Sequence, residues 1–432
     1  MTDDQPRDRR PHQTTLLIVA MAAAGFNLRI AISNVPPLFP DLAARQHLST
    51  AALSLLGATP VVFFGIASAF AAWLNRRHGE ERVLLVALGA LAAGLVLRGV
   101  APGALLFPGT ALAAGAIAIL NVLLASMAKR RWPERAGLLI GIYLAMLSVG
   151  AILSSLLSVP LYQASGGSIA LALGVWAGPA ALAVLLWLPQ LRYASPGTRR
   201  PAGHLVTASV VPAPASLTTT RIKLHRHALA WHVTVFMGLQ SLLFYAALSW
   251  LPTIFQDRGA TPVTAGNLLA LMSVGNLVGT SVVPVLAHRT PGQRTLVVPS
   301  MIGMGVGLAG SLWAPLGSAP FWVLLLGVSQ GACLGLAIYF MMARVPDADA
   351  AASLSGFAQS VGYLVASAGP LGLGLLHAAT GGWNIPVAVL LVLSGGGLVV
   401  GVLAARPLVL GTPTVKAVPT GGVPRDRLGD RG

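Results

Sequence analysis

The 432-residue chain is short of charge, and of negative charge above all: 9% of its residues are charged, with 12 Asp and Glu against 28 Lys and Arg. Soluble domains carry roughly 25% charged residues, so this composition excludes an ordinary water-soluble fold. A single cysteine, Cys333, excludes an intramolecular disulfide framework and a cysteine-based zinc site. No H-E-x-x-H motif, no carboxylate pair within an apolar segment and no loop long enough for a catalytic domain occur. Membrane hydrolases and transferases need paired acids, metal ligands or an activated nucleophile, so neither an enzyme, a metal site nor a cofactor is expected. The basic surplus, a formal charge of +16, comes in short runs between long apolar stretches rather than on one solvated face. That pattern argues against a nucleic-acid partner.

What the chain does have is hydrophobic residues, 55% of the total. A helix of about 20 apolar residues crosses a bilayer core. The sequence predicts twelve such spans, at 14–39, 50–74, 83–101, 104–128, 136–161 and 169–189, then 228–252, 264–287, 295–313, 321–343, 351–377 and 384–404. Their continuous apolar character excludes a transmembrane barrel, whose strands alternate. The expected fold class is an all-α membrane protein of twelve transmembrane helices, with the lipid bilayer as its partner. Residues 1–13 mix acids and bases, and the first apolar stretch is too long for the core of a cleaved signal peptide.

The basic residues predict orientation. With the N-terminus in the cytoplasm, RRHGEER (76–82), KRRWPER (129–135), the 190–227 segment and the C-terminal tail all face inward. All but four of the 28 Lys and Arg then lie on that side; Arg45 and Arg258 fall in outer loops, and Arg29 and Arg98 inside spans. The positive-inside rule therefore places both termini in the cytoplasm, in a multi-pass protein of the cell inner membrane. The expected organisation is a cytoplasmic N-terminus (1–13), a six-helix bundle (14–189), a flexible linker (190–227), a second six-helix bundle (228–404) and a cytoplasmic tail (405–432). A monomer is expected.

The two halves repeat. A shift of 216 residues aligns 21–55 with 237–271 at nine identities, among them Pro36 with Pro252 and Asp41 with Asp257. Parallel repeats of this kind belong to secondary transporters whose site lies between the halves, near the bilayer midplane.

The six-plus-six plan resembles the major facilitator superfamily and, within it, the cyanate permease and nitroimidazole transporter family (CynX/NimT). The stretches that carry the resemblance are FNLRIAISNVPPLFPDL (26–42), ILNVLLASMAKRRWPER (119–135), GIYLAMLSVGA (141–151), FMGLQSLLFYAALSWLPTIFQDRG (236–259) and LSGFAQSVGYLVASAGPLGLGLLH (354–377). The superfamily's loop between helices 2 and 3 usually reads G-x-L-A-D-R-x-G-R-K. Here AWLNRRHGEE (72–81) has Ala72 for the first Gly and Arg76 for the Asp, so that loop carries none of the assignment. The resemblance implies alternating-access transport of a small anionic or weakly polar solute, cyanate- or nitroimidazole-like. A multidrug/proton antiporter of the same fold is the alternative, and it would call for an acid in the cavity.

Candidate site residues follow from polarity out of place. Arg29 lies about 22 Å into the first span at 1.5 Å per residue, with no Asp or Glu inside any predicted span to pair it. An intramembrane charge faces a cavity or a partner, and a planar guanidinium suits an anion. Asn27-Leu28-Arg29 also matches the family's helix-1 motif, so the resemblance implies Asn27 as well. Gln240, Tyr245, Gln359 and Tyr363 are large polar residues in family-like stretches. Tyr143 shares a face with Ser154 and Ser158, and Asn121 and Gln330 are lone polar residues in apolar helices. These nine are the expected substrate contacts. Two secondary candidates have competing structural readings: Arg98, near a span's outer end, can snorkel to the interface, and His232, beside Trp231, reads as interfacial. With no acid inside a span, His232 is the residue near a span that titrates near neutral pH, which leaves proton coupling possible. Pro60, Pro160, Pro179, Pro284 and Pro370 are expected to kink or end helices.

Overall fold

The computed structural model describes residues 11–131, 136–193 and 224–410. Among these residues it is helical throughout, with no strand, and twelve stretches are long and apolar enough to cross a membrane. Valines such as Val86, Val100 and Val392 stand more than two-thirds exposed on the outside of the helices. Such a surface is stable against lipid and not against water.

The first half begins with α1 (Pro11–Ser33), followed by a short 3-10 turn at Pro36–Leu38 and α2 (Phe39–Gln46). Next come α3 (Thr50–His78), α4 (Glu80–Val100), α5 (Leu106–Arg131) and α6 (Ala136–Ala164), and the sixth span is split into α7 (Ile169–Gly174) and α8 (Ala177–Trp187). The second half has α9 (Ala228–Asp257), α10 (Pro262–Arg289), α11 (Arg294–Trp313) and α12 (Ala319–Ala343). Its eleventh span is split into α13 (Ala348–Ala366) and α14 (Ala368–Thr380), and α15 (Asn384–Ala404) is the twelfth.

The five prolines lie inside helices or in their first turns. Pro60, Pro160 and Pro284 lie inside α3, α6 and α10, as Pro252 lies inside α9. Pro179 and Pro370 sit in the first turns of α8 and α14, where a missing N–H costs nothing. The matched prolines of the repeat also differ. Pro36 is followed by Pro37 and α1 ends before it, whereas the single Pro252 is carried within a continuous helix. Two adjacent residues without N–H start a helical turn more readily than they continue one.

The helices also run past the predicted spans and carry acids at or near their ends. Asp41 falls in the first turn of α2, Glu80 and Glu81 open α4, and Asp257 closes α9. The repeated acids keep a shared task. Asp41 interacts electrostatically with the Tyr162 side chain on α6, and Asp257 accepts a 2.7 Å bond from Trp383 Nε1 at the start of α15. Each ties the end of its half's first span to a later helix.

Glycine decides the closest packing. An added Cβ on Gly275 of α10 would stand 2.7 Å from the Leu324 carbonyl oxygen of α12, and one on Gly331 of α12 would overlap the Asn276 carbonyl of α10. Glycines spaced by four on both helices let the backbones meet as in other membrane helix pairs. At the opposite end of α12, Arg344 is buried and acts as a clasp. It donates to Gln293 Oε1 at 2.8 Å and to the carbonyls of Ala404 and Ala405 at 3.1 and 3.2 Å. That burial lowers its pKa from the ordinary arginine value.

The halves meet at the end that carries His47 and Arg258. Phe39 packs edge-on to Trp250 at 5.3 Å, and Gln256 Nε2 donates to the Pro37 carbonyl at 3.3 Å. A Cβ on Gly57 would lie 2.8 Å from Ser249 Oγ, and one on Gly266 2.9 Å from the Ser155 carbonyl.

Candidate functional site

Between the halves, below that seal, lies a small cavity. The first half contributes Arg29, from near the C-terminal end of α1. Gln240, Ser241, Phe244 and Tyr245 come from α9, Asn276 from α10, Gln330 and Leu334 from α12, and Tyr363 from α13. Among the described residues no Asp or Glu lines it.

Arg29 has no hydrogen bond or ion pair with any described residue. Its guanidinium carbon lies 4.9 Å from the Phe244 ring centroid and 5.9 Å from that of Tyr245. Both rings belong to the other half. Cation–π attraction of this kind is worth about 0.5–2 kcal/mol, against an insertion cost of at least ~2.5–3.5 kcal/mol for an intramembrane arginine. The rings hold the guanidinium in place without neutralising it. Tyr363 interacts electrostatically with Arg29, Tyr245 and Tyr143, and Phe64 of α3 packs against both Tyr245 and Tyr363 at 6.3 and 5.7 Å.

Gln240 and Ser241 of α9 satisfy one another. Gln240 Nε2 donates to Ser241 Oγ at 2.7 Å and to the Met237 carbonyl at 3.2 Å. Gln330 differs: it is fully buried, and neither its Nε2 nor its Oε1 has a partner.

Five of the nine expected contacts, Arg29, Gln240, Tyr245, Gln330 and Tyr363, therefore line one cavity. Four do not. Asn27 is buried and donates to the carbonyls of Ala23 and Pro179 at 2.8 and 3.1 Å, which ties α1 to α8. Being two residues from Arg29 on a helix, it faces the other way. Tyr143 is buried beside the cavity without lining it, close against Gly25 of α1. Asn121 on α5 and Gln359 on α13 are half-buried and lie outside the lining.

Arg98 does not snorkel. It is fully buried and donates to the Ala31 carbonyl at 2.7 Å and to Asn34 Oδ1 at 2.9 Å. The break after α1 frees backbone carbonyls and supplies acceptors closer than the interface. Its position in the last turn of α4 also suits a cation. Arg98 is thus a staple between α4 and α1 and does not line the cavity. His232, half-buried in the first turns of α9, does not line it either.

Sequence reading passed over Phe244 and Leu334 because apolar residues in apolar helices give no signal. Ser241 and Asn276 gave one, a shared polar face with Tyr245 and with Ser273 and Thr280 respectively. The neighbours of Asn276 turned out to be packing groups: Ser273 Oγ bonds to the Leu269 carbonyl at 3.1 Å and Thr280 Oγ1 to the Gly331 carbonyl at 3.2 Å. A second small cavity lies nearer the seal, among Val35, Leu56, Pro60 and Ser249, and no charged side chain lines it.

The sequence profile of the Major Facilitator Superfamily matches residues 17–370. An uncharacterized transporter of Bacillus subtilis (strain 168), YycB, is 37% identical over 88% of this chain and 90% of its own length. The 2-nitroimidazole transporter of Escherichia coli (strain K12) is 33% identical over 90% of this chain and 95% of its own. The cyanate transport protein CynX of the same organism is 27% identical over 85% and 91%. Among solved structures, a bacterial homolog of the human lysosomal transporter Spinster superposes with a TM-score of 0.68 at 17% identity, covering 93% of this chain and 98% of that one.

Proposed function

The chain belongs to the major facilitator superfamily of membrane transporters, and on that premise we propose that it carries a small anionic or weakly polar solute, cyanate- or nitroimidazole-like, by alternating access. One observation carries this reading: Arg29 presents a guanidinium with no protein counter-ion to a cavity between the halves. A solute carrying negative charge supplies that counter-ion, and the planar donor fork of arginine suits a flat oxyanion or nitro group. The names of the E. coli relatives agree in chemistry, since cyanate is an anion and a nitro group presents two partly negative oxygens.

With the termini in the cytoplasm, as the basic residues argue, the end sealed by Phe39–Trp250 and Gly57–Ser249 is the extracellular one. The conformation is then closed outside, and the halves would rock about the cavity to open it there. The cavity's charged or titratable groups are Arg29, Tyr245 and Tyr363. Proton coupling therefore has no carboxylate to run through and would depend on the protonation of the solute.

Arg29→Gln tests the reading. Purified protein with this change should remain folded in detergent and lose binding of anionic solutes, and proteoliposome uptake should fall to background with or without a pH gradient. Undiminished uptake of an anionic substrate by the variant rejects the assignment.

A further inference from the structure

The proposed function uses one pole of the cavity. Another part of its wall is unsatisfied: Gln330 is fully buried, lines the cavity, and has neither amide atom hydrogen-bonded. Buried side-chain amides are ordinarily paired. Gln240, which lines the same cavity, shows the usual case with its bonds to Ser241 and Met237.

The local structure keeps Gln330 in place. Gly327 and Gly331 flank it on α12, and an added Cβ at Gly331 would overlap the Asn276 carbonyl while one at Gly327 would overlap that of Met272. The α10 and α12 backbones are thus in contact on both sides of Gln330. Asn276, the other amide of the wall, is fixed by the same contact and lines the same cavity. The amide wall belongs to the second half and the guanidinium to the first, with the aromatic faces of Phe244 and Tyr245 next to Arg29.

We infer that Gln330 is a specificity-determining residue that reads a donor–acceptor edge on the solute. Resting on the proposed anion site at Arg29, this narrows the substrate class to compact, flat molecules with two poles. One pole is a negatively charged or nitro-type oxygen for Arg29. The other is an N–H beside a carbonyl oxygen or ring nitrogen, which meets Oε1 and Nε2 of Gln330 in two parallel hydrogen bonds, as an amide reads the edge of a base. A site whose buried polar groups are satisfied only by such an edge rejects analogues that lack it. Such a solute contacts both halves at once, so it binds well only when they are close.

Three matched probes test this with the purified full-length protein by calorimetry. 6-Hydroxynicotinate, in its lactam form, has both the carboxylate and the N–H/C=O edge. Benzoate has the charge alone, and 2-pyridone the edge alone. The lactam acid should bind at least tenfold more tightly than either. Gln330→Leu should erase its advantage over benzoate, and Arg29→Gln should weaken both carboxylates. If the wild-type protein binds the lactam acid no better than benzoate, and benzoate still depends on Arg29, the edge reading is overturned and the anion site stands. An advantage that persists in Gln330→Leu also overturns the assignment. If neither carboxylate binds the wild-type protein, the anion site falls and the edge reading falls with it. If the Gln330→Leu protein fails to fold, a wild-type protein that gives the lactam acid no advantage still overturns the edge reading.

Discussion

The Arg29 guanidinium of the first half lies 4.9 Å from the centroid of the Phe244 ring of the second. The cavity's one charge and the ring that supports it thus sit on opposite bodies. Phe244→Leu keeps an apolar side chain of similar size and removes the π face. Loss of a contact worth about 0.5–2 kcal/mol should weaken anion binding roughly twofold to thirtyfold. Calorimetry checks this, and unchanged affinity would mean that the ring fills space only.

Arg98 has a different task and a different signature. Its bonds to the Ala31 carbonyl and Asn34 Oδ1 join α4 to the break in the first span. Arg98→Ala leaves both acceptors buried and unpaired, so it should cost about 2–3 kcal/mol of stability. The apparent melting temperature in detergent should fall, while solute affinity measured well below that temperature stays within twofold. A selective loss of binding at unchanged stability would contradict the staple.

The glycine contact between α10 and α12 predicts a sharp positional contrast. At Gly327 an added methyl overlaps the Met272 carbonyl, so Gly327→Ala should destabilise by about 1–3 kcal/mol through overpacking. Gly396 on α15 has nothing within 4 Å of an added Cβ. Gly396→Ala should be neutral or slightly stabilising, since alanine favours helix by up to about 1 kcal/mol. Thermal unfolding of the two variants side by side decides it.

The scarcity of cysteine makes the seal testable. Cys333 is the one cysteine and is buried, so engineered thiols face little background. A Cβ on Gly57 would lie 3.2 Å from the Ser249 Cβ, close to the roughly 3.5–4.5 Å of a disulfide. The double variant Gly57→Cys, Ser249→Cys should cross-link under mild oxidation and stop transport, and reductant should restore it. Continued transport by fully cross-linked protein would show that the halves do not part there.

Much of this was legible in the sequence. Twelve spans follow from apolar run length because a bilayer imposes one thickness on every helix. Arg29 was legible because a charge in a long apolar run has no other explanation than a cavity or a partner. Gln330 was legible for the same reason in weaker form. What the sequence could not sort was polar residues of equal appearance. Asn27 and Arg29 are two positions apart in one motif, yet one bonds to the Pro179 carbonyl of α8 and the other faces the cavity.

Arg98 and Arg29 make the same point more strongly. Each is an arginine in an apolar span with no acid nearby in the chain. Local sequence sets the cost of such a charge, because that cost depends on depth in the membrane. Its remedy depends on which neighbours tertiary packing supplies. For Arg98 these are carbonyl and amide oxygens at a helix break, 64 and 67 residues away in sequence. For Arg29 they are two aromatic rings from the other half and an open space. Hydrophobic run length determined the spans, and the approach of helices distant in sequence decided which polar groups are satisfied and which are left for a solute.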